Sequence, residues 1–416
     1  MQFYIETYGC TLNKHDSEIM REILLKSGNV ESSEREADVI IINTCGVKDA
    51  TEKRIIERLK GIRKPLVVGG CVATADAKLV RRFAPHATIM GTRAIRGIEN
   101  IAKDALERKR GVYLSAGDKE DISYNFTKPI GIIAISEGCT SACTYCFTKL
   151  ARPTLKSMRT GEVLRRIKMA EENGVREIQL TSQDSGAYGL ERGTNLKNLL
   201  MQIAEMQPSL KIRVGMMNPK HLKDQMEVID IIMENECFYK FFHIPAQSGS
   251  DKILKAMRRE NSVDEYLEIV REIRKNRYAN IMNDIIVGFP GESEEEFEES
   301  VALVKAVEAD TTNVSKFSAR PGTEAAFMEQ VDRKVIKERS KVMSEVCDGI
   351  SLERNRMWVG KECEITLLER MRGIAGRNDY YKQVIVRGNA RDLGKRIKVK
   401  LVDAGVAYIK GERSSN

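Results

Sequence analysis

The stretch IGIIAISEGCTSACTYCFTK, residues 130–149, joins an apolar run to a loop that holds three cysteines. Cys139, Cys143 and Cys146 are four and three residues apart, so their thiols can bind three corners of one metal cluster. Thiolate is the usual protein ligand of iron–sulfur clusters, and three protein ligands leave one iron of a [4Fe–4S] cluster open. Zinc is the weaker interpretation, because structural zinc sites take four Cys or His ligands and the chain has only four histidines.

Six strand-like runs alternate with helical patterns around and after this loop. GEVLRRIKMAEENG and SEEEFEESVALVKAVEA are typical of the helices. Because a full TIM barrel has eight strands, the count predicts a partial (β/α)6 barrel, open on one side for a bulky substrate. The six runs are IGIIAIS, EIQLTS, KIRVGM, KFFHI, NIMNDIIVGF and TTNVSKF.

Three more cysteines follow apolar runs nearer the start of the chain. MQFYIETYGC ends at Cys10, ADVIIINTC at Cys45 and PLVVGGC at Cys71, with a helical stretch expected from Asp16 and another through Lys60. The alternation predicts an α/β unit with a parallel sheet. The carboxyl ends of parallel strands share one edge, where ligands bind, so we expect these three cysteines to converge there.

The last part of the chain is helical from about Asp332 towards Trp358 and then strand-like. CEITLLERM, YYKQVIVRG, RIKVKLVDAG and VAYIKGER predict a small antiparallel barrel of OB-like type. Residues 351–416 hold 15 Lys and Arg against 8 Asp and Glu, nearly all of the net charge of +8. This surplus favours a polyanionic partner such as RNA, and a solvated basic face is an equally weighted alternative.

The overall composition predicts a globular protein of two or three domains. The chain has 416 residues, and none of its segments approaches the roughly 18 to 20 apolar residues of a membrane span. An odd count of nine cysteines without a secretion signal favours reduced thiolates and a cytoplasmic location. Cys237, Cys347 and Cys363 stand alone in periodic segments, where we expect plain packing.

A CxxxCxxC loop after the first strand of a partial barrel resembles the hallmark of the radical S-adenosylmethionine (SAM) superfamily. The order of the motifs is similar to that of the methylthiotransferases, which join a three-cysteine domain, a radical SAM barrel and a TRAM domain. This resemblance predicts a Rossmann-like domain at 1–107, the radical SAM core at 125–355 and an RNA-binding TRAM barrel at 356–416. The matching motifs are TYGCTLNKHDSE, IINTCGV, VVGGC, HIPAQSGS, DIIVGFPGE and FSARPGTEAA.

The resemblance implies two [4Fe–4S] clusters, with the auxiliary one on Cys10, Cys45 and Cys71. It also implies two SAM molecules, one that methylates a sulfur and one that yields the radical needed at an unactivated carbon. The cofactors carry this chemistry, so no catalytic residues are expected beyond the cluster ligands.

The stretches CFTKLARPTLKS, LTSQDSGAYG and VGMMNP are most similar to the archaeal and eukaryotic branch of that family. That branch methylthiolates N6-threonylcarbamoyladenosine 37 in the tRNA anticodon stem-loop. Methylthiolation of isopentenyladenosine tRNA or of an aspartate of ribosomal protein S12 are alternatives, and an iron–sulfur or RNA-binding protein without activity is another. We also expect an unidentified electron donor, no association with a membrane and a monomeric state.

Further site residues are carried over from the motifs. Gln183, Asp184 and Gln247 could contact SAM or substrate, or cap strand ends. Gly288, Pro290 and Gly291 could equally form a turn. The expected SAM-adenine residues are Tyr145, Asp284, Ile286 and Gly288. Cations that could meet tRNA phosphate or the threonyl carboxylate, or remain solvated, are Lys149, Arg152 and Lys156.

Overall fold

The computed structural model describes residues 1–46, 49–114, 117, 119–371 and 373–414. The polar sequence between residues 115 and 127 predicts a connector, of which residues 115, 116 and 118 lie outside the described residues. The chain forms a parallel-sheet domain, an arc of parallel strands with helices, and a closed β-barrel, in that order. None of the described helices is long and apolar enough to cross a membrane.

The N-terminal domain is a six-stranded parallel sheet, with strands in the order β2-β1-β3-β4-β5-β6. Its strands are β1 Gln2–Thr7, β2 Val30–Glu31, β3 Val39–Thr44, β4 Leu66–Gly69, β5 Thr88–Met90 and β6 Val112–Tyr113. Its helices are α1 Thr11–Lys26, α2 Asp49–Gly61, α3 Gly70–Ala75, α4 Ala77–Phe83 and α5 Ile98–Leu106. All six residues of β3 are buried because helices cover both faces of the sheet.

This topology corrects two details of the sequence prediction. Helix α1 begins at Thr11, directly after Cys10, and not at Asp16. Cys71 lies in the first turn of α3 rather than in a loop. Strands β2, β5 and β6, which have two or three residues each, were too short to produce a periodic signal. The order 2-1-3-4-5 reverses direction between β1 and β3, and ligands bind at such a switch point.

The central domain has the six predicted barrel strands and a short hairpin. The strands are β7 Ile130–Ala134, β8 Ser136–Glu137, β9 Lys156–Ser157, β10 Glu177–Thr181, β11 Lys211–Arg213, β12 Phe241–His243, β13 Asn280–Val287 and β14 Thr311–Lys316. The helices are α6 Phe147–Ala151, α7 Thr160–Glu172, α8 Leu196–Met206, α9 Pro219–Lys223, α10 Glu227–Glu234, α11 Asp251–Ala256, α12 Val263–Arg274, α13 Glu294–Val307 and α14 Arg333–Arg356.

The six strands form an arc with β7 and β14 at its outer edges. Sheets β7-β10-β11 and β12-β13-β14 are parallel, and a parallel bridge between Ile212 and Phe238 connects them. Strands β8 and β9 pair separately. One large apolar core fills the space between the arc and its helices and includes Cys347, as expected for a packing cysteine. The partial barrel is therefore confirmed.

The C-terminal domain is a closed barrel in the order β15-β16-β17-β19-β18. Its strands are β15 Glu362–Arg370, β16 Ile374–Arg377, β17 Gln383–Val386, β18 Arg396–Ala404 and β19 Ile409–Arg413. The prediction of an antiparallel barrel needs one correction, because β17 and β19 pair in parallel to close it. Strand β16 was also missed, since its IAGR sequence has a small apolar content.

Buried ion pairs fix this small barrel against the strand starts of the central domain. Asp310, which precedes β14, lies 2.8 Å from Lys382 and 3.2 Å from Arg354. Glu177 of β10 lies 2.9 Å from Arg377. Charges buried this deeply need partners, so the pairs define one relative placement of the two barrels.

Candidate active site

The loop that carries Cys139, Cys143 and Cys146 lies at the carboxyl end of β7. The backbone N–H of Cys146 donates to the carbonyl of Cys143 over 3.1 Å, which folds the loop back on itself. The N–H of Ser141 donates to the sulfur of Cys139 over 3.4 Å. These contacts position the loop without using the other two thiols.

The buried carboxylate of Asp184 lies against this loop and the turn next to it. Asp184 is 1% exposed and accepts hydrogen bonds from the backbone of Gly186 and Asn218, each over 3.0 Å. Its other oxygen lies 2.7 Å from His221 Nδ1 and 3.9 Å from the sulfur of Cys139. The structure thus uses Asp184 to brace Cys139 and the neighbouring turn.

Two further predicted residues brace the same loop. The side-chain oxygen of Gln183 accepts the backbone N–H of Gly138 over 2.7 Å. The ammonium of Lys149 donates to the carbonyl of Cys139. Both contacts fix the backbone on either side of the first cysteine, a role that the motif resemblance did not specify.

Of the residues expected at the SAM adenine, Tyr145 and Ile286 lie in one apolar cluster. Tyr145 packs edge-on against Phe289 at 6.2 Å between ring centres, and Ile286 belongs to the same apolar cluster. Gly288 has φ +75°, and a Cβ there would lie 3.0 Å from Ile336 Cδ1, so glycine is required. Gln247 also has a positive φ, +74°, and its backbone hydrogen-bonds to β13.

Asp284 faces the interior of the arc. Exposure alternates along β13, and Met282, Asp284 and Ile286 are its accessible positions. The Asp284 carboxylate lies 2.8 Å from His243 Nε2 and accepts the side-chain N–H of Asn313 over 2.7 Å. This network joins β12, β13 and β14 across the interior.

The three N-terminal cysteines converge at the edge where β1, β3 and β4 end. Gly9, next to Cys10, has φ +102°, and a Cβ there would lie 2.7 Å from the sulfur of Cys45. Only glycine permits this close approach with that backbone conformation. The sulfur of Cys71 lies 3.9 Å from the side-chain oxygen of Asn13.

Asn13 connects all three cysteine segments and was missed in the sequence. Its side-chain amide donates to the carbonyl of Tyr8 over 2.9 Å and to that of Thr44 over 2.8 Å. Its oxygen faces Cys71, and the residue is fully buried. The only available signal was an asparagine three residues after Cys10 in a segment with no apolar periodicity.

The segments that carry the two cysteine trios meet across the interface between the domains. A Cβ on Gly46, which follows Cys45, would lie 2.7 Å from Cδ1 of Phe147, which follows Cys146. Phe147 packs into the apolar core of the N-terminal domain. Helix α6 therefore inserts beside α3, and the carboxyl-end edge of the sheet faces the carboxyl-end edge of the arc.

A buried charge network lies beside this junction. The Arg152 guanidinium pairs with Asp16 of α1 and, over 2.7 Å, with Glu137 of β8. Lys119 reaches the same two carboxylates. Burial alone would raise the pKa of Asp16, but Lys119 and Arg152 outweigh it and hold the pKa at about 2.

The expected RNA contacts Lys149, Arg152 and Lys156 therefore have different environments. Arg152 is 2% exposed, and contact with phosphate would require it to leave both carboxylates. Lys149 is occupied by the cluster loop, whereas Lys156 of β9 is exposed. The Arg152 guanidinium pairs with a carboxylate of each domain, and contact of Arg152 with RNA stays a prediction.

The donor sets suit iron–sulfur clusters. Burial raises the pKa of Cys146 to about 11 and also raises the pKa values of Cys139 and Cys71, the latter opposed by the Arg152 guanidinium. Thiolates bind the metal, so loading releases protons at these sites. Among the described residues, no three His, Cys, Asp or Glu side chains form a group that could hold a metal ion. A cubane uses each cysteine on a different iron and needs no such group.

Comparisons with known proteins agree with this site. Residues 133–304 match the Radical SAM superfamily, and residues 2–91 match a family described as Uncharacterized protein family UPF0004. A solved radical S-adenosylmethionine methyltransferase from Kitasatospora setae shares the fold with a TM-score of 0.54 at 14% identity, over 78% of this chain and 77% of that one. Fold and cysteine loop together define a radical SAM protein.

Full-length relatives narrow the class to one family. A probable threonylcarbamoyladenosine tRNA methylthiotransferase of Archaeoglobus fulgidus is 37% identical over 99% of this chain and 98% of its own length. The human threonylcarbamoyladenosine tRNA methylthiotransferase is 32% identical over 100% of this chain and 74% of its own. The chain belongs to the threonylcarbamoyladenosine tRNA methylthiotransferase family, which confirms the resemblance seen in the sequence.

Proposed function

We propose that this chain converts N6-threonylcarbamoyladenosine at position 37 of tRNA to its 2-methylthio derivative by radical SAM chemistry. The observation that carries the proposal is the contact between Gly46, which follows Cys45, and Phe147, which follows Cys146. Insertion of a methylthio group needs a radical source and a sulfur source within reach of one base. A protein that merely held clusters would not need the two sites face to face.

Each trio would hold one [4Fe–4S] cluster, Cys139, Cys143 and Cys146 the radical SAM cluster and Cys10, Cys45 and Cys71 the auxiliary one. When bound, the clusters and SAM supply the radical and the methylated sulfur. The chain itself fixes geometry, since Gln183 and Lys149 hold the backbone of the cluster loop and Asp184 fixes the neighbouring turn. Asn13 joins the segments that carry Cys10 and Cys45. Tyr145, Ile286 and Gly288 would bind the SAM adenine.

The substrate RNA would span the central domain and the C-terminal barrel. A groove of about 750 Å³ between them is lined by the cations Lys128, Arg176, Lys395 and Arg396, which suit a phosphate backbone. Affinity that rests on such contacts should fall steeply as salt concentration rises. The domain limits 1–107, 125–355 and 356–416, a monomeric state and a separate electron donor form part of this proposal.

The test is methylthiolation by purified, reconstituted protein, given SAM, a reductant and a synthetic anticodon stem-loop. The product is measured by mass spectrometry of the digested nucleosides. We expect the 2-methylthio nucleoside from the threonylcarbamoyl RNA and none from stem-loops with adenosine or isopentenyladenosine at position 37. Reaction of the isopentenyl RNA, or of ribosomal protein S12, in place of the threonylcarbamoyl RNA would replace our assignment with that alternative.

A second arm separates an enzyme from a carrier or RNA-binding protein. The reduced protein should release 5′-deoxyadenosine from SAM, and no release would rule out the enzymatic proposal. In cells lacking the gene, the 2-methylthio nucleoside should disappear from tRNA while its threonylcarbamoyl precursor accumulates. Unchanged levels of both nucleosides would contradict the proposed role.

A further inference from the structure

The interior of the arc contains a cavity of about 320 Å³ bounded by all three domains, here called the lumen cavity. Thr11, next to Cys10, lines one part of it, and Gln179, Arg213 and Asn280 line its wall. Tyr381 of the C-terminal barrel forms part of its floor. Its volume is within the range of pockets that bind small ligands. The cavity therefore connects the auxiliary cysteine edge with the interior of the barrel.

Charges in the lumen cavity are paired, with one exception. Asp310 is bound by Lys382, Arg354 and Arg274, at 2.8, 3.2 and 3.1 Å. Arg377 is bound by Glu177 and Glu369. In the described part of the chain, Arg213 has no carboxylate within ion-pair distance, and its buried Nε has no hydrogen-bond partner. The guanidinium carbon lies 5.3 Å from the ring centre of Phe241, so an aromatic face but no anion of the described residues accompanies this half-buried cation.

A second unpaired atom belongs to Asn280, another residue that lines the cavity. The side-chain oxygen of Asn280 is buried and lacks a donor among the described residues, whereas its amide donates to the carbonyl of Tyr380 over 2.9 Å. The residues that line the cavity thus include a cationic donor, Arg213, and a neutral acceptor, Asn280. Polar atoms that are buried without partners are costly, and a ligand that satisfies both recovers that cost.

We propose that Arg213 binds the carboxylate of the amino-acid group on the substrate nucleoside. Asn280 accepts a hydrogen bond from an N–H or the hydroxyl of that amino-acid group. The inference rests on the proposed function and deepens it. A threonylcarbamoyl group carries one carboxylate, ureido N–H groups and a hydroxyl. An isopentenyl group carries none of these and would leave both Arg213 and Asn280 unpaired.

The position of Arg213 favours the nucleoside as the source of the carboxylate. In the register of the sheet, Arg213 is paired with Gln179 of β10, and Gln179 is paired with Ile132 in the middle of β7. Cys139 comes after the end of β7, so Arg213 lies deeper in the arc than the cluster loop. A base that presents C2 towards the cysteine edge directs its N6 substituent elsewhere, and the inference places that substituent in the lumen cavity, which Thr11 lines next to Cys10.

SAM also carries an amino-acid carboxylate, so the experiment must separate the two sources. Equilibrium binding by fluorescence anisotropy uses reconstituted protein and two labelled stem-loops, one with the threonylcarbamoyl group and one with its carboxylate converted to the methyl ester. SAM binding is measured separately by equilibrium dialysis. The variants are Arg213→Met, Arg213→Lys and, as a control on the outer face of α12, Arg271→Met.

We expect wild-type protein to bind the acid RNA more tightly than the ester by about ten- to hundredfold, the worth of a hydrogen-bonded charge. Arg213→Met should bind both RNAs at the ester level, with the affinity for SAM retained. Arg213→Lys should restore part of the preference, and Arg271→Met all of it. A thermal unfolding midpoint near that of the wild type shows that a variant is folded.

Three results would overturn the inference. Wild-type protein that binds acid and ester equally well would exclude carboxylate recognition while the proposed function stands. Arg213→Met that loses affinity for SAM and keeps its preference for the acid RNA would assign the carboxylate to SAM. Arg213→Lys that behaves as Arg213→Met in a folded protein would exclude charge as the cause. Wild-type protein that methylthiolates no threonylcarbamoyl RNA would instead refute the proposed function.

Discussion

The two cysteine trios reach a similar result by different means. Cys139, Cys143 and Cys146 lie within one loop after one strand, and Gln183 and Lys149 hold the backbone of that loop. The N-terminal trio comes from three strand ends, and one buried side chain, Asn13, connects the segments. A local motif carries its geometry in its spacing, whereas a dispersed site depends on the sheet and on side chains between the ligands.

The largest expected effect separates the roles of the two trios. Cys143→Ala should abolish both SAM cleavage and methylthiolation, because the radical SAM site loses a ligand. Cys45→Ala should retain cleavage and lose methylthiolation. The measurements are 5′-deoxyadenosine and methylthio nucleoside by mass spectrometry, with iron content for each variant.

Cys237→Ala is the matched control, because this cysteine only packs against the central core. It should retain both activities and the wild-type iron content. If Cys45→Ala and Cys143→Ala lost the same activities with equal loss of iron, the distinction between the trios would collapse.

The next effect concerns the contact between the two halves of the site. Arg152→Met leaves the buried Asp16 and the partly exposed Glu137 with fewer partners, and loss of one partner of a buried pair costs about 3–5 kcal/mol. We expect a clearly lower thermal unfolding midpoint. Arg21→Met removes a half-exposed ion pair with Glu31 and should cost at most about 1 kcal/mol. Equal midpoints for the two variants would show that the Arg152 network does not stabilise the interface.

A smaller effect tests the connection between the dispersed ligands. Asn13→Ala removes hydrogen bonds to Tyr8 and Thr44 and should cost about 1–3 kcal/mol. Iron content should fall towards that of Cys45→Ala, while SAM cleavage persists. Asn29→Ala, which loses a hydrogen bond to Leu24 elsewhere in the domain, should keep its iron. Full iron content in Asn13→Ala would remove Asn13 from the account.

The last effect depends on pH and concerns helix α1, which follows Cys10. Burial raises the pKa of Glu18 on α1 to about 7, opposed by a hydrogen bond with Thr127 and by Arg21 and Lys14. Between about pH 4.5 and 7 the folded protein retains a proton that the unfolded chain has lost, so stability falls as pH rises, by at most about 1.4 kcal/mol per pH unit.

Glu18→Gln should flatten this part of the pH profile of the unfolding midpoint. Glu36→Gln, at an exposed position, should leave the profile as in the wild type. Parallel profiles for wild type and Glu18→Gln would show that the Glu18 carboxyl does not titrate in this window.

The grouping of the six cysteines into two trios and the order of the three domains are predicted from the sequence, because apolar periodicity and ligand spacing are local properties. The sequence does not predict that Arg152 is buried, since a basic residue after a loop has the same pattern whether it is solvated or paired. Asn13 gains its role from Thr44 and Cys71, far along the chain, and the roles proposed for Arg213 and Asn280 depend on the distant residues that line the lumen cavity with them. The start of α1 at Thr11 was missed because no side chain caps the helix there.

The most direct test of the central claim is electron paramagnetic resonance of the fully reconstituted, reduced protein. Clusters that face each other across the Gly46–Phe147 contact should interact magnetically. The wild-type spectrum should then differ from the sum of the spectra of Cys45→Ala and Cys143→Ala. A wild-type spectrum equal to that sum would contradict a two-cluster site at the domain junction. A wild-type spectrum that shows one cluster only, and that Cys45→Ala leaves unchanged, would contradict it as well.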